Sequence, residues 1–528
     1  MAAALDKLKG AVSDLAEKAQ TDKGTVAAIA GTAVAVGAGA LLYRRYARNA
    51  GPTAGALTPD TLPAGAYDAV IVGAGPSGSV CANYAAQGGA KVALRGEGGR
   101  GVCGTVDACS GGEELGAAVG AVWLWREPQG LPRVGWDKYC GDAVCTPAIR
   151  ILEDLGVMKE LVDANEAHFA DAGGFVSPMG ISYVGASKEK LGEAACCAVK
   201  RINLDNKVAK AAKRAGADLK EGFEVAGATF DAAAGLWTVT SASGATVKGR
   251  VLICADGATS GLATKLGYCT EAPRGVCSRA FVEGGTHNTN FDGVCFYPKW
   301  SLPGYAAIFR HPNDELNFCY YLIPTGGDGS CGDVKESDLA RLHNDALTKD
   351  PFISAALGPN PKIERMRAAS LRLGSQGVAR SYDDHLLIIG DAAGHIDPLT
   401  GEGIHTAMMG GKAAAETLLE MRAAGCFTAA NTARYERRWK EAYGHDFPWS
   451  TAFAGLIYRY PIIMDAMASE VKRQGDKMMS RWAEIMTNMK PKTYFLRPDV
   501  AAQMGFAVLR EVVEQKLLGK EDKYKLAA

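Results

Sequence analysis

Two uninterrupted apolar runs, Ala69-Val-Ile-Val72 and Leu386-Leu-Ile-Ile389, each end on glycine and each give way to a helical pattern. A run without polar alternation is what a strand buried on both faces of a parallel sheet requires. Ser79 to Gln87 predicts the helix after the first run and Ala90-Lys-Val-Ala-Leu94 the next strand; a further helix is predicted from Ile404. Leu236-Trp-Thr-Val-Thr240, Val294-Cys-Phe-Tyr297 and Asn317 to Ile323 predict antiparallel strands of a second, interleaved domain. From 431 to 528 the chain reads as helical, with an aromatic run from Phe453 to Met464 that suits either core packing or the mouth of a lipid pocket.

The N-terminal pattern is different. Residues 1–24 carry apolar positions at helical spacing (Leu5, Leu8, Val12, Leu15), and residues 25–43 carry no charge. At about 1.5 Å per residue that stretch just spans a hydrocarbon core of about 30 Å. Arg44, Arg45 and Arg48 follow, so the spacing predicts a membrane anchor with the rest of the protein facing the cytosol or a plastid stroma. Asp6, Asp14, Glu17 and Asp22 speak against a cleaved transit peptide. Residues 44–66, with several Pro and Gly, form a linker.

The glycines carry the chemistry. In Gly73-Ala-Gly75-Pro76-Ser77-Gly78 the first glycine permits a sharp turn, the second lets backbone approach a pyrophosphate, and the third lets the helix pack against the strand. The helix start presents free N–H groups to the phosphates. An acidic ribose ligand belongs about 20 residues further on; Glu97 is the nearest carboxylate and sits one place late. Residues 67–430 are therefore expected to form an α/β, Rossmann-like three-layer domain binding FAD, interrupted by the antiparallel-sheet substrate domain. A Gly/Val/Trp-rich stretch over 96–136 lacks periodicity and reads as an insertion, either a surface excursion or translated intron sequence.

The second motif, Gly390-Asp391-x-x-Gly394-x-x-x-Pro398-x-x-Gly401-Glu402-Gly403-Ile404, resembles the flavin-ribityl motif of the FAD-dependent geranylgeranyl reductase family, within the aromatic-hydroxylase-like flavoproteins. The resemblance implies that Asp391 accepts a ribityl hydroxyl and that the helix from Ile404 aims its positive end at the flavin ring. Three stretches match the same family in order: Cys140-Gly141-Asp142 under the ring, Arg201 near the cofactor, and Asp256-Gly257 beside it. A guanidinium fork suits a diphosphate. The aromatic hydroxylases carry His where Gly394 stands and Gln where Glu402 stands, which favours a reductase over a monooxygenase. The family's lipid-pocket motif survives as Tyr305 and Phe309, with Ala307 in place of tryptophan.

By that resemblance the activity is reduction of C=C bonds in a prenyl lipid by hydride from reduced FAD, with Cys140 and Tyr305 as catalytic candidates. Cys140 is a proton donor or a packed small residue; no general acid is identified. No second dinucleotide motif is present, so NADPH or another reductant must dock transiently. A flavin monooxygenase and a non-catalytic prenyl-lipid carrier are the competing readings. The totals narrow the field. Balanced charge (58 basic, 58 acidic) without a basic block argues against nucleic acid. Fourteen cysteines without a C-x-x-C pair, and eight histidines without His-x-His spacing, argue against a disulfide framework and a metal site.

Overall fold

The structure, a computed structural model, describes residues 62–96, 138–186, 196–323, 338–364 and 366–520. The predicted anchor, linker and insertion lie outside them, except for residues 62–66 of the linker and Gly96. Glu97 lies outside as well.

An eight-stranded sheet is built on Tyr67–Val72, which pairs in parallel with Val92–Arg95 on one side and Thr246–Cys254 on the other. The continuous apolar run has the expected cause: Ala69, Val70, Ile71 and Val72 are all buried. Alternation decides which layer each one meets. Ala69 and Ile71 face the glycine helix Pro76–Gln87 and the long helix Ile404–Ala424. Val70 and Val72 face Trp237, Leu252 and Cys254 on the other side.

That second layer corrects one expectation. Leu236–Ser241 belongs to the nucleotide sheet and not to the substrate domain: it pairs antiparallel with the first half of Thr246–Cys254, Trp237 opposite Gly249. The second half of the nine-residue strand pairs in parallel with Tyr67–Val72. One strand serves both partners because its length covers both registers, which local alternation does not reveal.

The substrate sheet has seven strands, with Gly275–Val282, Leu316–Leu322, Gly304–Arg310 and Gly293–Phe296 at its centre. Its two faces are divided by parity. Val276, Ala306, Ile308, Phe318 and Tyr320 meet the helices Leu339–Lys349 and Pro351–Leu357. Cys277, Tyr305, Ala307, Cys319 and Tyr321 point the other way, toward Leu399 and the helix Phe447–Arg459. A small three-stranded sheet (Ala143–Cys145, Cys196–Val199, Ala167–Phe169) closes the gap beside the nucleotide domain.

The C-terminal helices are part of the same body. Ala429–Ala442 crosses the boundary expected at 430, and its Tyr435 and Trp439 pack in the core of the nucleotide domain. Ala454, Tyr458 and Met464 of the aromatic run pack against the substrate sheet. Among the described residues no helix is long and apolar enough to cross a membrane. This corrects the expectation of a membrane-anchored protein as far as the described residues go: none of their helices spans a membrane, and the segment read as an anchor lies outside them.

The polar tie through this region is Lys492, whose side chain is fully buried. Its Nζ lies 2.8 Å from Asp397 and 3.6 Å from Asp446. Burial works against the ammonium charge, but the two carboxylates hold it above the ordinary lysine value. Burial likewise works against the Asp397 charge, and Lys492 outweighs it, leaving that carboxyl below the usual range. Removing one partner of such a pair strands the other, at a cost of about 3–5 kcal/mol. Lys492→Met is therefore expected to lower urea-unfolding stability by about that amount. The wild-type advantage is present above the ordinary aspartate pKa and fades as pH falls through the depressed Asp397 value. A loss near zero at neutral pH contradicts the assignment.

Candidate flavin site

The pyrophosphate cradle forms where Val72 hands over to the glycine turn. Gly73 adopts φ 111°, and a Cβ there would collide with the Ala255 carbonyl oxygen. The helix begins at Pro76, with Gly75 as N-cap, no capping side chain and no acidic residue in its first turn. Its amides and dipole are thus left for an anion, which is the fit a dinucleotide phosphate requires. Gly78 packs against Gly73, and Ser77 packs against Gly390, joining the two glycine motifs. At the end of the second strand the residue in place is Arg95, buried and bonded to the Asp218 carboxylate at 2.8 Å.

The flavin loop runs from Gly390 to Gly403, and Asp397 organises it. One carboxylate oxygen accepts the amides of Leu399 (2.9 Å) and Thr400 (3.1 Å); the other accepts Ser450 Oγ (2.9 Å) and Lys492 Nζ (2.8 Å). Pro398 follows Asp397 directly, and Gly401 turns at φ 71°. Gly403 is the N-cap of Ile404–Ala424, again with no capping side chain and no acid in the first turn. Asp391 lies beside Lys138 and Arg201, and burial raises its pKa. Tyr305 is buried, donates its hydroxyl to the Thr400 carbonyl and stacks on Tyr321 with centroids 4.8 Å apart.

Cys140-Gly141-Asp142 docks on the odd face of the substrate sheet. Gly141 N donates to Tyr321 Oη at 3.1 Å, and Asn317 Nδ2 donates to both Cys140 O and Asp142 Oδ2 at 2.8 Å. His311 Nε2 lies 3.3 Å from the same Asp142 oxygen. A Cβ on Gly141 would sit 2.6 Å from Tyr321 Oη and 3.2 Å from Phe309 Cε2, so this contact needs glycine. Burial raises the Cys140 pKa although Arg201 opposes it, so the residue stands as a thiol.

Two expected cofactor ligands have their charges engaged elsewhere. Arg201 forks onto Asp205 at 3.0 and 2.9 Å. Burial works against its charge, but Asp205 and Asp391 hold it more firmly protonated. Its bidentate face is spent on a neighbour four residues on. Asp256 accepts from Ser260 Oγ (2.7 Å) and Leu262 N (2.8 Å), bracing the short helix Gly261–Lys265.

Asp397, Lys492, Tyr321 and Asn317 were not identified from sequence. Asp397 lies inside the recognised motif, but its role depends on a lysine 95 positions away. Cys145, Glu402 and His405 place their ligand-type atoms within 4.8 Å of one another, although histidine spacing along the chain showed no sign of a metal site. A cavity of about 1080 Å³ lined by His343, Leu347 and Ile363 opens on the even face of the substrate sheet and contains none of the flavin-site residues.

The FAD binding domain family matches residues 141–425. Conditioned medium factor receptor 1 of Dictyostelium discoideum is 46% identical over 472 residues, covering 87% of this chain and 84% of that one. Menaquinone reductase of Mycobacterium tuberculosis is 28% identical, covering 71% and 82%. Digeranylgeranylglycerophospholipid reductase 1 of Methanopyrus kandleri is 25% identical, covering 74% and 90%. A geranylgeranyl bacteriochlorophyll reductase-like protein of Thermoplasma acidophilum shares the fold, with a TM-score of 0.56 at 17% identity over 88% of this chain and 99% of that one.

The docking of Gly141 yields a test. Gly141→Ala is expected to weaken FAD retention about tenfold or more, the equivalent of about 1.4 kcal/mol. Gly261→Ala, whose Cβ meets nothing within 4 Å, is the control. Flavin absorbance co-eluting on gel filtration reads both; equal retention in the two variants contradicts the geometry.

Proposed function

The chain belongs to the FAD-binding domain family of flavin-dependent oxidoreductases, and from that premise we propose that it reduces isolated C=C bonds in a geranylgeranyl-type chain of a lipid. The observation that carries this reading is the aromatic and aliphatic cluster packed between flavin loop and substrate sheet. Tyr305 and Tyr321 stack and continue to Tyr297, 5.4 Å from Tyr305; Phe309 borders them, and Leu399, Ala454 and Tyr458 belong to the same cluster. Such a surface offers dispersion contacts and few polar anchors, which suits a hydrocarbon chain. The name of the Methanopyrus kandleri relative, a digeranylgeranyl lipid reductase, supports it.

Reduced FAD, when bound, supplies the hydride. The chain's own residues do the rest. Gly73, Gly75 and Gly78 would admit the pyrophosphate to the helix amides, and Gly403 and Ile404 would present the second helix start to the ring. Tyr305 holds the Thr400 carbonyl and fixes the loop against the substrate wall. Cys140 stays a thiol and packs beneath the site. The aromatic wall excludes water, which strengthens every polar interaction inside. The electrons reach the flavin from a transiently docked reductant of the NADPH or ferredoxin kind.

The test is product mass. The full chain, loaded with FAD and given reductant without oxygen, is expected to convert a digeranylgeranylglycerophospholipid to species heavier by two hydrogens per bond reduced. A colourless protein that binds the lipid unchanged would favour a carrier. Products that form only on admission of oxygen, with oxygen incorporated, would make it a monooxygenase.

A further inference from the structure

Glu402 is the one carboxylate of the flavin loop whose side chain has no task in the site so far described. Its Oε2 is closed to solvent and has no hydrogen-bond partner, while the Cys145 thiol donates to the side chain and 32% of the side-chain surface remains accessible. The groups facing it come from every surrounding element. Cys145 and Cys196 belong to the small sheet and Cys295 to the substrate sheet, with Tyr297 just after that strand; His405 belongs to the flavin helix, Asp397 to the loop, and Lys492 to the C-terminal region.

The hydrogen bonds behind Glu402 have a single polarity. Lys492 is a donor only, so Asn488 turns its Oδ1 to the ammonium and its Nδ2 toward His405. Nδ2 lies 2.7 Å from His405 Nε2, which must accept. The neutral imidazole then carries its proton on Nδ1, 3.7 Å from Glu402 Oε2. The buried ion pair thereby fixes a histidine tautomer. It also weighs against a cation among Cys145, Glu402 and His405. Nδ1 is protonated on the side a metal would occupy, and the Lys492 ammonium lies behind it.

We propose that Glu402 is the proton donor of the reduction and that Lys492, Asn488 and His405 are positioning residues that hold its proton balance. The proposal rests on the prenyl-reductase reading. The double bond takes both electrons as hydride from reduced FAD at one carbon and the Glu402 O–H proton at the other. The π bond is replaced by two C–H bonds, leaving oxidised flavin and the Glu402 carboxylate. His405 Nδ1–H then faces that carboxylate, solvent returns the proton, and an external reductant of the pyridine-nucleotide or ferredoxin class restores the flavin. Two local conditions agree with these roles. Burial pushes Glu402 up to about 7, against the opposing charge of Lys492. Burial and then Lys492 push His405 down to about 4, so it stays neutral.

Three measurements on the FAD-loaded full chain test this. Infrared spectroscopy is expected to show a protonated carboxyl band that titrates near neutrality and is absent in Glu402→Gln. Nitrogen-15 NMR of labelled histidine is expected to show His405 with its proton on Nδ1, and Asn488→Leu to lose that preference. Prenyl reduction is expected to fall on the order of 10²-fold in Glu402→Gln, with partial rescue in Glu402→Asp. No titrating band, a proton on Nε2, or stoichiometric zinc binding abolished in Glu402→Gln overturns the relay even if prenyl reduction is intact. Both spectroscopic signatures with no prenyl reduction in the wild type support the relay and overturn the function it was assigned to.

Discussion

A lysine ammonium shut away from water must be neutralised by neighbours or lose its proton, and Lys492 keeps its proton because Asp397 and Asp446 close on it. That requirement joins parts of the chain distant in sequence. Asp397 lies in the flavin loop, Asp446 precedes the helix Phe447–Arg459, and Lys492 belongs to the C-terminal region. The other oxygen of Asp397 holds the Leu399 and Thr400 amides, so the pair sets the path of the backbone that presents Gly401 and Gly403. The C-terminal helices are therefore needed for the conformation of a loop almost a hundred residues earlier.

Parity along the substrate strands determines what the loop faces. Tyr305, Ala307, Phe309, Cys319 and Tyr321 all point to the flavin side because strand residues alternate, while Ile308, Phe318 and Tyr320 form a separate core with the outer helices. Tyr305 and Tyr321 then each hold one half of the site, the first through the Thr400 carbonyl and the second through the Gly141 amide. The stacked tyrosines thus brace both halves of the site, which narrows the substitutions either position tolerates.

Much of the fold was legible because local signals agreed with it. The buried strand Ala69–Val72, the glycine turn and the helix from Ile404 all formed where their patterns indicated. The strand Leu236–Ser241 was assigned to the wrong sheet because alternation reports that a strand has two faces, not which partner covers them. Cys140 to Asp142, Tyr305 and Phe309 converge on one surface of the substrate sheet, a proximity their separate motifs do not encode. Arg201 and Asp256 do lie in their expected segments, but Asp205 and the Ser260 turn occupy their charges, and a pairing at i+4 cannot be weighed without burial. Lys492 was invisible for a plain reason: between Lys490 and the residues that follow Pro491 it reads as a solvated surface charge. Only the tertiary arrangement buries it.

The decisive step is transfer of electrons from the bound flavin to a prenyl double bond. The most direct measurement is an anaerobic rapid-mixing titration of reduced, FAD-loaded full chain against the prenyl lipid, following the return of oxidised-flavin absorbance. Reoxidation without oxygen, one flavin for each double bond saturated, is the expected result. A flavin that stays bleached with the lipid until oxygen enters would contradict it.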